Sequence, residues 1–320
     1  MKALWLEEKQ LHLRVDVPMP TLNPDEALIK TQLAGICSTD LEMLKGYYPF
    51  TGVLGHEFVG TVIEAPDNPD IVGKRVVGTI SIYCGECSAC KAGRTGHCEN
   101  RRTLGIFNYH GVFAEYFKLP VKNLIVVPDS VEDKKAVFTE LLAAALQIPF
   151  QLHVKPTDKV VLVGAGRLGL LIAQVLKLSG ADLSVVVRRP EPAMMLKKWG
   201  IKWVYANDLP DAYADIVVEA TGSAQGFALS QRLVRPAGTL VLKSTFAGDV
   251  QVNLSKLVVD EVNVIGSRCG PMDAALRLLE LGMIDTKSMI SSQFTISQGM
   301  EAFELAKKPG ILKVLVSFDD

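Results

Sequence analysis

The sequence has no surplus of either charge. Its 34 lysines and arginines are balanced by 35 acidic residues, which gives a net charge of −1 over 320 residues. Proteins that bind nucleic acids or anionic membranes usually carry a basic surplus, because phosphate groups attract cations. We therefore expect neither nucleic acid nor a membrane as a partner.

Long apolar runs and a dense cysteine framework are also missing. The apolar stretches are interrupted by Gly, Lys or Gln and fall short of a membrane span. The first ten residues, MKALWLEEKQ, carry charges where a secretory signal needs an apolar run. Six cysteines in a chain of this size do not form a disulfide scaffold. These absences predict a cytoplasmic protein.

A chain of 320 residues is long for one hydrophobic core, so we expect two domains. Residues 1–36 alternate apolar and polar positions, and residues 58–63 and 75–80 are typical of further short strands. Strand character returns over residues 111–128. Glycines within these runs indicate bulges and bends, as in a small barrel. The first part is therefore predicted to be an antiparallel β domain.

From Lys159 the pattern changes to strand, helix, strand. Residues 159–163 form a continuous apolar run, which is typical of a parallel strand buried on both faces. Further strands are predicted at 183–187, 203–206, 215–219, 239–243 and 263–266. Together they predict a doubly wound sheet of about six parallel strands. A helical run over 132–146 precedes this region, and a closing strand at 313–318 is predicted to return to the first domain.

A glycine-rich segment lies between the first of these strands and its helix, reading Gly164-Ala165-Gly166-Arg167-Leu168-Gly169. In this context the glycines allow a tight turn and a close backbone approach to a pyrophosphate, so we predict a dinucleotide site. The second strand is followed by Arg188 and Arg189, with no acid at that position. Arginines suit the 2′-phosphate of NADP, whereas an acid would bind the 2′-hydroxyl of NAD. The sequence thus favours NADP, and a solvated surface turn is the alternative for the two arginines.

Four cysteines follow one another on a short segment without regular periodicity. They are Cys84, Cys87, Cys90 and Cys98. Four thiolates can close a tetrahedron around Zn²⁺ and leave no position for substrate, which predicts a structural zinc site. The alternatives are disulfides, which conflict with a cytoplasmic protein, and an iron–sulfur cluster, which usually has other spacings and a following proline where this chain has Glu99.

A second group of potential ligands lies between Gly35 and Glu57. Cys37, Thr39, Asp40 and the His56-Glu57 pair resemble half of a catalytic zinc site with a hydroxyl to relay a proton. Taken alone, a buried cysteine is usually a small hydrophobe. Glu140 is an acid within an apolar helical run, which is costly unless the acid is paired or bound to a metal. A solvent-facing position for Glu140 is an equally good alternative at this point.

With these motifs in this order, the chain resembles the zinc-dependent medium-chain dehydrogenase/reductases, which include alcohol, sorbitol and threonine dehydrogenases. The resemblance covers essentially the whole chain. It implies an α/β protein with a GroES-like antiparallel β-barrel domain and a doubly wound parallel-sheet Rossmann domain. The catalytic domain would comprise residues 1–141 and 268–320 with a zinc lobe at 84–98, and the dinucleotide-binding domain would comprise residues 142–267. A homo-oligomer, either dimer or tetramer, is also implied.

The resemblance implies roles for individual residues. The catalytic zinc would be bound by Cys37, His56 and Glu140, with Glu57 beside the histidine as a ligand or a supporting acid. The structural zinc would be the second zinc of each chain. Thr39 would receive the substrate proton and Asp40 would orient His56. Glu42 stands where many relatives carry a histidine that passes the proton to solvent. The residues implied in cofactor binding are Gly164, Gly166, Arg167, Leu168, Gly169, Arg188, Arg189, Leu242, Ser267 and Arg268.

The expected function is zinc-dependent hydride transfer between NAD(P) and an alcohol, aldehyde or ketone, with Zn²⁺ as Lewis acid. The alternative is a non-catalytic nucleotide- and zinc-binding structural or sensor protein on the same scaffold. A zinc-ribbon nucleic-acid binder is disfavoured by the near-neutral charge. An apolar substrate pocket is expected around Ile80, Phe107 and Phe113, with Tyr47 and Tyr109 nearby, although such aromatic residues are more often core.

Overall fold

The computed structural model describes residues 1–245 and 250–318. The chain forms two compact units: Met1–Glu140 together with the chain from Met272 onward, and Leu141–Pro271. No helix in the described ranges is both long enough and apolar enough to cross a membrane.

The strands of the described ranges are β1 Ala3–Glu7, β2 Gln10–Arg14, β3 Glu26–Ile36, β4 Gly52–Val53, β5 Glu57–Glu64, β6 Arg75–Gly78, β7 Ser81–Ile82, β8 Arg102–Thr103, β9 Tyr116–Pro120, β10 Leu124–Val126, β11 Lys159–Val163, β12 Asp182–Val186, β13 Lys202–Val204, β14 Ala214–Glu219, β15 Val234–Leu242, β16 Asn263–Gly266, β17 Ile290–Thr295 and β18 Lys313–Ser317. The α-helices are α1 Ser38–Leu44, α2 Ser88–Lys91, α3 Asp133–Ala136, α4 Thr139–Gln151, α5 Arg167–Lys177, α6 Glu191–Lys198, α7 Ala224–Leu233, α8 Leu254–Val259, α9 Met272–Glu280 and α10 Gly299–Ala306.

The first unit is built around β3. This strand pairs antiparallel with β5, β9 and β18, in a sheet of order β10-β6-β5-β3-β18-β17. Smaller sheets are formed by β2-β1-β4 and by β7-β8. Most of β3 is buried, and the core around it includes the edge-to-face pair Phe113 and Phe303, whose ring centroids are 5.5 Å apart. The predicted antiparallel β domain is confirmed.

The second unit contains the predicted doubly wound sheet, which is also confirmed. Its strand order is β13-β12-β11-β14-β15-β16, and every neighbouring pair is parallel. The buried apolar side chains of β11 explain why this strand lies at the centre of the sheet. Because the strand order reverses between β11 and β14, the carboxyl ends of these strands form the crevice where a dinucleotide binds in such folds.

Two details differ from the sequence analysis. The run predicted as one helix over 132–146 forms two helices, α3 and α4, which are separated by the buried residues Val137 and Phe138. The segment between α9 and β18 also contains β17 and α10, which the periodicity did not indicate. Strand β17 pairs parallel with β18, so this late segment extends the sheet of the first unit.

A buried ion pair crosses the middle of that sheet. Glu57 at the start of β5 and Lys313 at the start of β18 lie on opposite sides of β3, and their side chains form a direct ion pair. Their side chains are 0% and 1% exposed, respectively. Gly35 of β3 lies between them: a Cβ at this position would be 2.6 Å from Glu57 Oε2 and 3.3 Å from Lys313 Cδ. The ion pair therefore requires a residue without a side chain at position 35.

We expect the substitution Gly35→Ala to lower the free energy of unfolding by about 1–3 kcal/mol, because the added methyl group overlaps a packed and paired carboxylate. Gly266→Ala is the matched control, since, apart from its neighbours in the chain, no residue of the described ranges has an atom within 4 Å of the Cβ it would add. Urea unfolding monitored by circular dichroism measures both variants. Equal shifts for the two alanine variants would contradict the steric role of Gly35.

Candidate active site and metal centres

Three potential metal ligands meet where β3 ends and β5 begins. Cys37 follows β3 directly, His56 precedes β5, and Glu57 is the first residue of β5. The two strands are antiparallel neighbours with Gly35 opposite Glu57, so these positions must lie close together. One ligand atom from each side chain lies within 4.8 Å of the others, and all three residues are buried. The structure thus gathers three of the four residues that the resemblance implied.

Asp40 supports two of these ligands from the first turn of α1. Its Oδ2 accepts a 2.8 Å hydrogen bond from the backbone N–H of Cys37. Its Oδ1 lies 3.3 Å from Nδ1 of His56 without forming a hydrogen bond, so we describe this contact as electrostatic. Burial by itself lowers the pKa of His56, but the charge of Asp40, aided by Cys37, outweighs burial and raises that pKa well above its usual value. With Asp40 facing one ring nitrogen, the other nitrogen suits a metal.

The acid of the cluster, Glu57, uses its two oxygens differently. Oε2 is paired with Lys313, whose ammonium also lies 5.6 Å from the centre of the Phe138 ring. Oε1 is buried and accepts no hydrogen bond from the described residues. A buried carboxylate oxygen without a partner beside a thiol and an imidazole is costly. A cation removes that cost, and sulfur, nitrogen and oxygen donors are the ligands that zinc takes in proteins. The residues present therefore fit zinc.

Thr39 and Glu42 both lie on α1 beside this cluster. Thr39 is half-buried, and its Oγ1 is 3.8 Å from Sγ of Cys37. Glu42 forms an ion pair of 2.7 Å with Lys45, at which both side chains are partly exposed. Because exposed ion pairs are weak, water can separate Glu42 from Lys45. The hydroxyl thus lies at the cluster, while the acid at position 42 faces a lysine.

Glu140 is the fourth ligand that the resemblance implied. It lies in the first turn of α4 and is half-buried. It is not part of the set of three ligands whose atoms lie within 4.8 Å of one another. The structure therefore brings together Cys37, His56 and Glu57, and the role of Glu140 as a zinc ligand stays a prediction.

The four cysteines of the lobe form a second cluster. Their sulfur atoms all lie within 4.8 Å of one another, with Cys98 at 3.5 Å from Cys84 and 3.9 Å from Cys87. These distances exclude disulfide bonds, in which sulfur atoms are about 2 Å apart. They bracket the separation of about 3.8 Å between sulfurs of a tetrahedron with Zn–S bonds of about 2.3 Å. All four cysteines are free thiols.

Backbone N–H groups stabilise thiolates in this lobe. Sγ of Cys84 accepts hydrogen bonds from the N–H groups of Glu86 and Cys87, at 3.5 and 3.4 Å. These donors lower the pKa of Cys84 to about 6. Other backbone donors, those of Glu99 and Cys90, lower the pKa of Cys87. Burial, by contrast, raises the pKa of Cys90 to about 12. Because zinc binds thiolates, the donors at Cys84 and Cys87 favour metal binding, whereas Cys90 would have to lose its proton to the metal.

In the second unit, the glycine-rich segment joins β11 to the N-terminus of α5. Gly164 has a φ of +112°, and a Cβ there would be 2.7 Å from the carbonyl oxygen of Ala220. A Cβ at Gly169 would be 2.1 Å from the carbonyl oxygen of Gly164. At Gly166, by contrast, no atom of another described residue, its neighbours in the chain aside, lies within 4 Å of that position. Protein packing thus explains the first and third glycines, and open space for a pyrophosphate explains the second.

Arg188 and Arg189 follow β12 and are exposed. Within residues 1–245 and 250–318, no hydrogen bond or ion pair is found for either guanidinium. The nearest acid in sequence, Glu191, lies in the first turn of α6, where a carboxylate stabilises the helix dipole. Two exposed arginines at this end of the sheet are consistent with a phosphate-binding role.

The predicted nicotinamide residues lie at the carboxyl ends of the last two strands. Leu242 ends β15, and its carbonyl oxygen accepts a 3.0 Å hydrogen bond from the N–H of Ser267. Ser267 is buried and Arg268 is exposed. Lys243 is buried at the same edge, and its side chain bonds both residues, a contact that the sequence pattern did not indicate. The burial of Lys313 was not predicted either, because nothing in the local pattern of the closing strand marks it as charged and buried.

The expected substrate-pocket residues fall into two groups. Phe113 is fully buried against Phe303, and the hydroxyl of buried Tyr109 donates to Glu26 at 2.7 Å, so these two rings are core. Placing Phe113 on a substrate pocket was therefore wrong. Tyr47 and Phe107 form the second group. The ring of Tyr48 lies between them in this cluster, with its centroid 4.7 Å from that of Tyr47 and 6.0 Å from that of Phe107.

Comparisons with known proteins agree with this geometry. Residues 23–129 match the alcohol dehydrogenase GroES-like domain, and residues 168–281 match the zinc-binding dehydrogenase family. A sorbitol dehydrogenase from Halalkalibacterium halodurans is 31% identical, with 94% of each chain covered.

Two solved structures are similar over the whole chain. A zinc-binding dehydrogenase from Sinorhizobium meliloti 1021 bound to NADP is 30% identical, with a TM-score of 0.91 and 99% of each chain covered. An alcohol dehydrogenase from E. coli CFT073 in complex with NADH is 25% identical, with a TM-score of 0.90 and the same coverage. Two clusters of potential zinc ligands, a glycine-rich loop at the centre of a parallel sheet and these relatives lead to one conclusion: the chain belongs to the zinc-dependent medium-chain dehydrogenase family.

Proposed function

We propose that this protein interconverts a small alcohol, of the polyol class, and its carbonyl product, with NADP as the preferred cofactor. Its family membership makes it a zinc-dependent oxidoreductase that uses a nicotinamide cofactor. The observation that carries the proposal is the buried cluster of Cys37, His56 and Glu57, whose ligand atoms lie within 4.8 Å of one another. The polyol class rests on the similarity to a sorbitol dehydrogenase.

The residues of the first unit divide the chemical work. Cys37 and His56 would hold zinc, with Glu57 or Glu140 completing the site, and Asp40 keeps the imidazole oriented. The hydroxyl of Thr39 lies 3.8 Å from Sγ of Cys37 and would take the proton of the substrate alcohol. When bound, zinc supplies a Lewis acid for the substrate oxygen and the nicotinamide gives or accepts the hydride. Glu42 could pass the proton on once its ion pair with Lys45 opens.

A non-catalytic sensor or structural protein on the same scaffold is not favoured. The relatives described above are dehydrogenases, and they match this chain over nearly its whole length. The candidate ligands are also buried in an arrangement that is costly without a cation, and a scaffold that no longer needed the metal would gain stability from apolar replacements.

NADP preference is supported by Arg188 and Arg189. Two exposed guanidiniums at the end of β12 can make charge-assisted contacts to a 2′-phosphate. The relatives use both cofactors, since one structure holds NADP and the other NADH. The side chains at the end of β12 therefore carry this part of the proposal.

We further propose two zinc ions per chain, one at each cluster. In the lobe, four thiols would fill the coordination sphere, so this metal would be structural. At the cluster of Cys37, one thiolate, one imidazole and one or two carboxylates would hold the catalytic metal less tightly than a thiolate-rich set.

A homo-oligomer, a dimer or a tetramer, is supported by the surface of the second unit. Strand β16 is the edge of its sheet, and neighbouring α8 exposes Leu254, Val258 and Val259 at 68%, 75% and 79%. Apolar surface beside an unpaired strand edge is typical of association sites. Sedimentation analysis tests this expectation. A cytoplasmic location is supported by the six cysteines, all of them described, since none of them forms a disulfide bond, and cell fractionation tests it.

The two clusters predict opposite effects of matched cysteine substitutions. Cys37→Ser should lower turnover more than about a hundredfold, since even groups that only support a metal ligand are worth 10- to 100-fold. Its thermal stability should stay close to that of the wild type. Cys90→Ser should mainly lower thermal stability. Turnover is followed by cofactor absorbance with sorbitol and a panel of alcohols and ketones, and unfolding by circular dichroism. Full activity of Cys37→Ser would overturn the assignment of the active site.

The cofactor preference predicts a selective effect at position 188. Arg188→Asp should weaken NADP binding about tenfold or more, because a favourable charge contact becomes a repulsive one. NAD binding, which lacks the 2′-phosphate, should change less than about twofold on the same physical ground. Arg188→Lys keeps the charge and serves as the control. Calorimetric titration with each cofactor measures the effect, and equal losses for NADP and NAD would refute the proposed preference.

A further inference from the structure

Lys243 is a buried cation at the carboxyl edge of the parallel sheet. It follows β15 directly and is 7% exposed. Its Nζ donates to Oγ of Ser267 at 3.3 Å and, over a short distance, to the carbonyl oxygen of Arg268. Its backbone N–H donates to the carbonyl oxygen of Glu219 at 3.0 Å. A single residue thus joins the ends of β14 and β15 to the loop that follows β16.

This edge is where half of the cofactor must lie if the chain binds a dinucleotide. The pyrophosphate belongs at the N-terminus of α5, beside the open Gly166. The strand order reverses between β11 and β14, so the two halves of a dinucleotide extend to opposite sides of β11. Arg188 and Arg189 mark the β12 side for the adenosine phosphate. The nicotinamide half then extends over β14 and β15, towards Lys243.

Burying an ammonium group is costly, and an apolar side chain of similar length would fill the same space at lower cost. An apolar side chain could not, however, donate a hydrogen bond to the carbonyl oxygen of Arg268, as the ammonium group of Lys243 does. The peptide after Arg268 is trans, since the described residues contain no cis peptide bond. By holding the carbonyl of Arg268, Lys243 therefore also fixes the direction of the following N–H. The N–H of Ser267, which donates to the carbonyl oxygen of Leu242, also ties the loop after β16 to the sheet edge.

We propose that Lys243 is a positioning residue for the cofactor: through the hydroxyl of Ser267 and the backbone carbonyl of Arg268, it holds the loop after β16 in the orientation that receives the nicotinamide end of the cofactor. This inference rests on the proposed binding of a nicotinamide dinucleotide. It implies that Lys243 matters for the nicotinamide end of the cofactor and is irrelevant to the adenosine end.

The decisive experiment compares an intact cofactor with a fragment that lacks nicotinamide. NADPH and 2′-phospho-ADP-ribose are titrated calorimetrically into the zinc-loaded wild type and into Lys243→Met. We expect the substitution to weaken NADPH binding about tenfold, the effect of one charged hydrogen-bond anchor. Binding of the fragment should change less than about twofold, because it does not reach this edge. If the wild type prefers NADH, the pair becomes NADH and ADP-ribose.

Two variants separate positioning from a general structural effect. Lys177→Met is the matched control. Lys177 of α5 also donates to a backbone carbonyl, that of Trp199, but neither residue is part of the β14–β16 edge. It should leave the affinities for NADPH and for the fragment unchanged. If Lys243→Met does not fold, Lys243→Gln, which retains a shorter donor, replaces it and should show the same selective loss.

The outcomes distinguish this inference from the proposed function. Equal loss of affinity for NADPH and the fragment, or no loss for either, would overturn the positioning role while leaving the proposed function intact. A wild type that binds the fragment and NADPH with equal affinity would also overturn it, since the nicotinamide end would then make no contribution to binding. A wild type that binds neither NADPH, NADH nor their fragments would overturn the proposed function and this inference together.

Discussion

The buried ion pair between Glu57 and Lys313 is the constraint on which the first unit depends. It joins residues 256 positions apart and lies directly beside the candidate zinc ligands. Because both groups are fully buried, neither can lose its partner without leaving a desolvated charge, which costs about 3–5 kcal/mol. The pair thereby holds β18 against β3, requires glycine at position 35, and directs one oxygen of Glu57 away from the metal cluster while the other remains available.

In the second unit the corresponding constraint is the row of backbone ends at one edge of the parallel sheet. Ala220, Lys243 and Ser267 each donate a backbone N–H to the preceding strand in the sheet, at 2.9, 3.0 and 3.0 Å. These hydrogen bonds align the carboxyl ends of the strands. The N-terminus of α5, Gly166, and Arg188 and Arg189 all lie at this same edge of the sheet. The metal chemistry and the cofactor chemistry are thus built by different means: side-chain charges in the first unit, and backbone geometry with a few cations in the second.

Local patterns predicted much of this organisation. The six parallel strands, the glycine-rich turn and the cysteine spacing depend on residues close in sequence, and these predictions agree with the structure. The roles of Gly35, Lys243 and Lys313 could not be found in this way. Each depends on the register of strands that are distant in sequence, as when Glu57 meets Lys313 across Gly35. For the same reason Phe113, an aromatic residue near the predicted pocket, proved to be core.

We propose that a catalytic zinc is held at the cluster of Cys37 and His56, separately from a second zinc in the cysteine lobe. Stepwise chelation, with zinc content and turnover measured on the same samples, distinguishes the two sites. We expect two zinc ions per chain, one at each cluster, and loss of all turnover with the first ion removed while the circular dichroism spectrum is unchanged. Re-addition of zinc should restore turnover. Activity that survives removal of the first zinc, with unfolding on removal of the second, would contradict the claim.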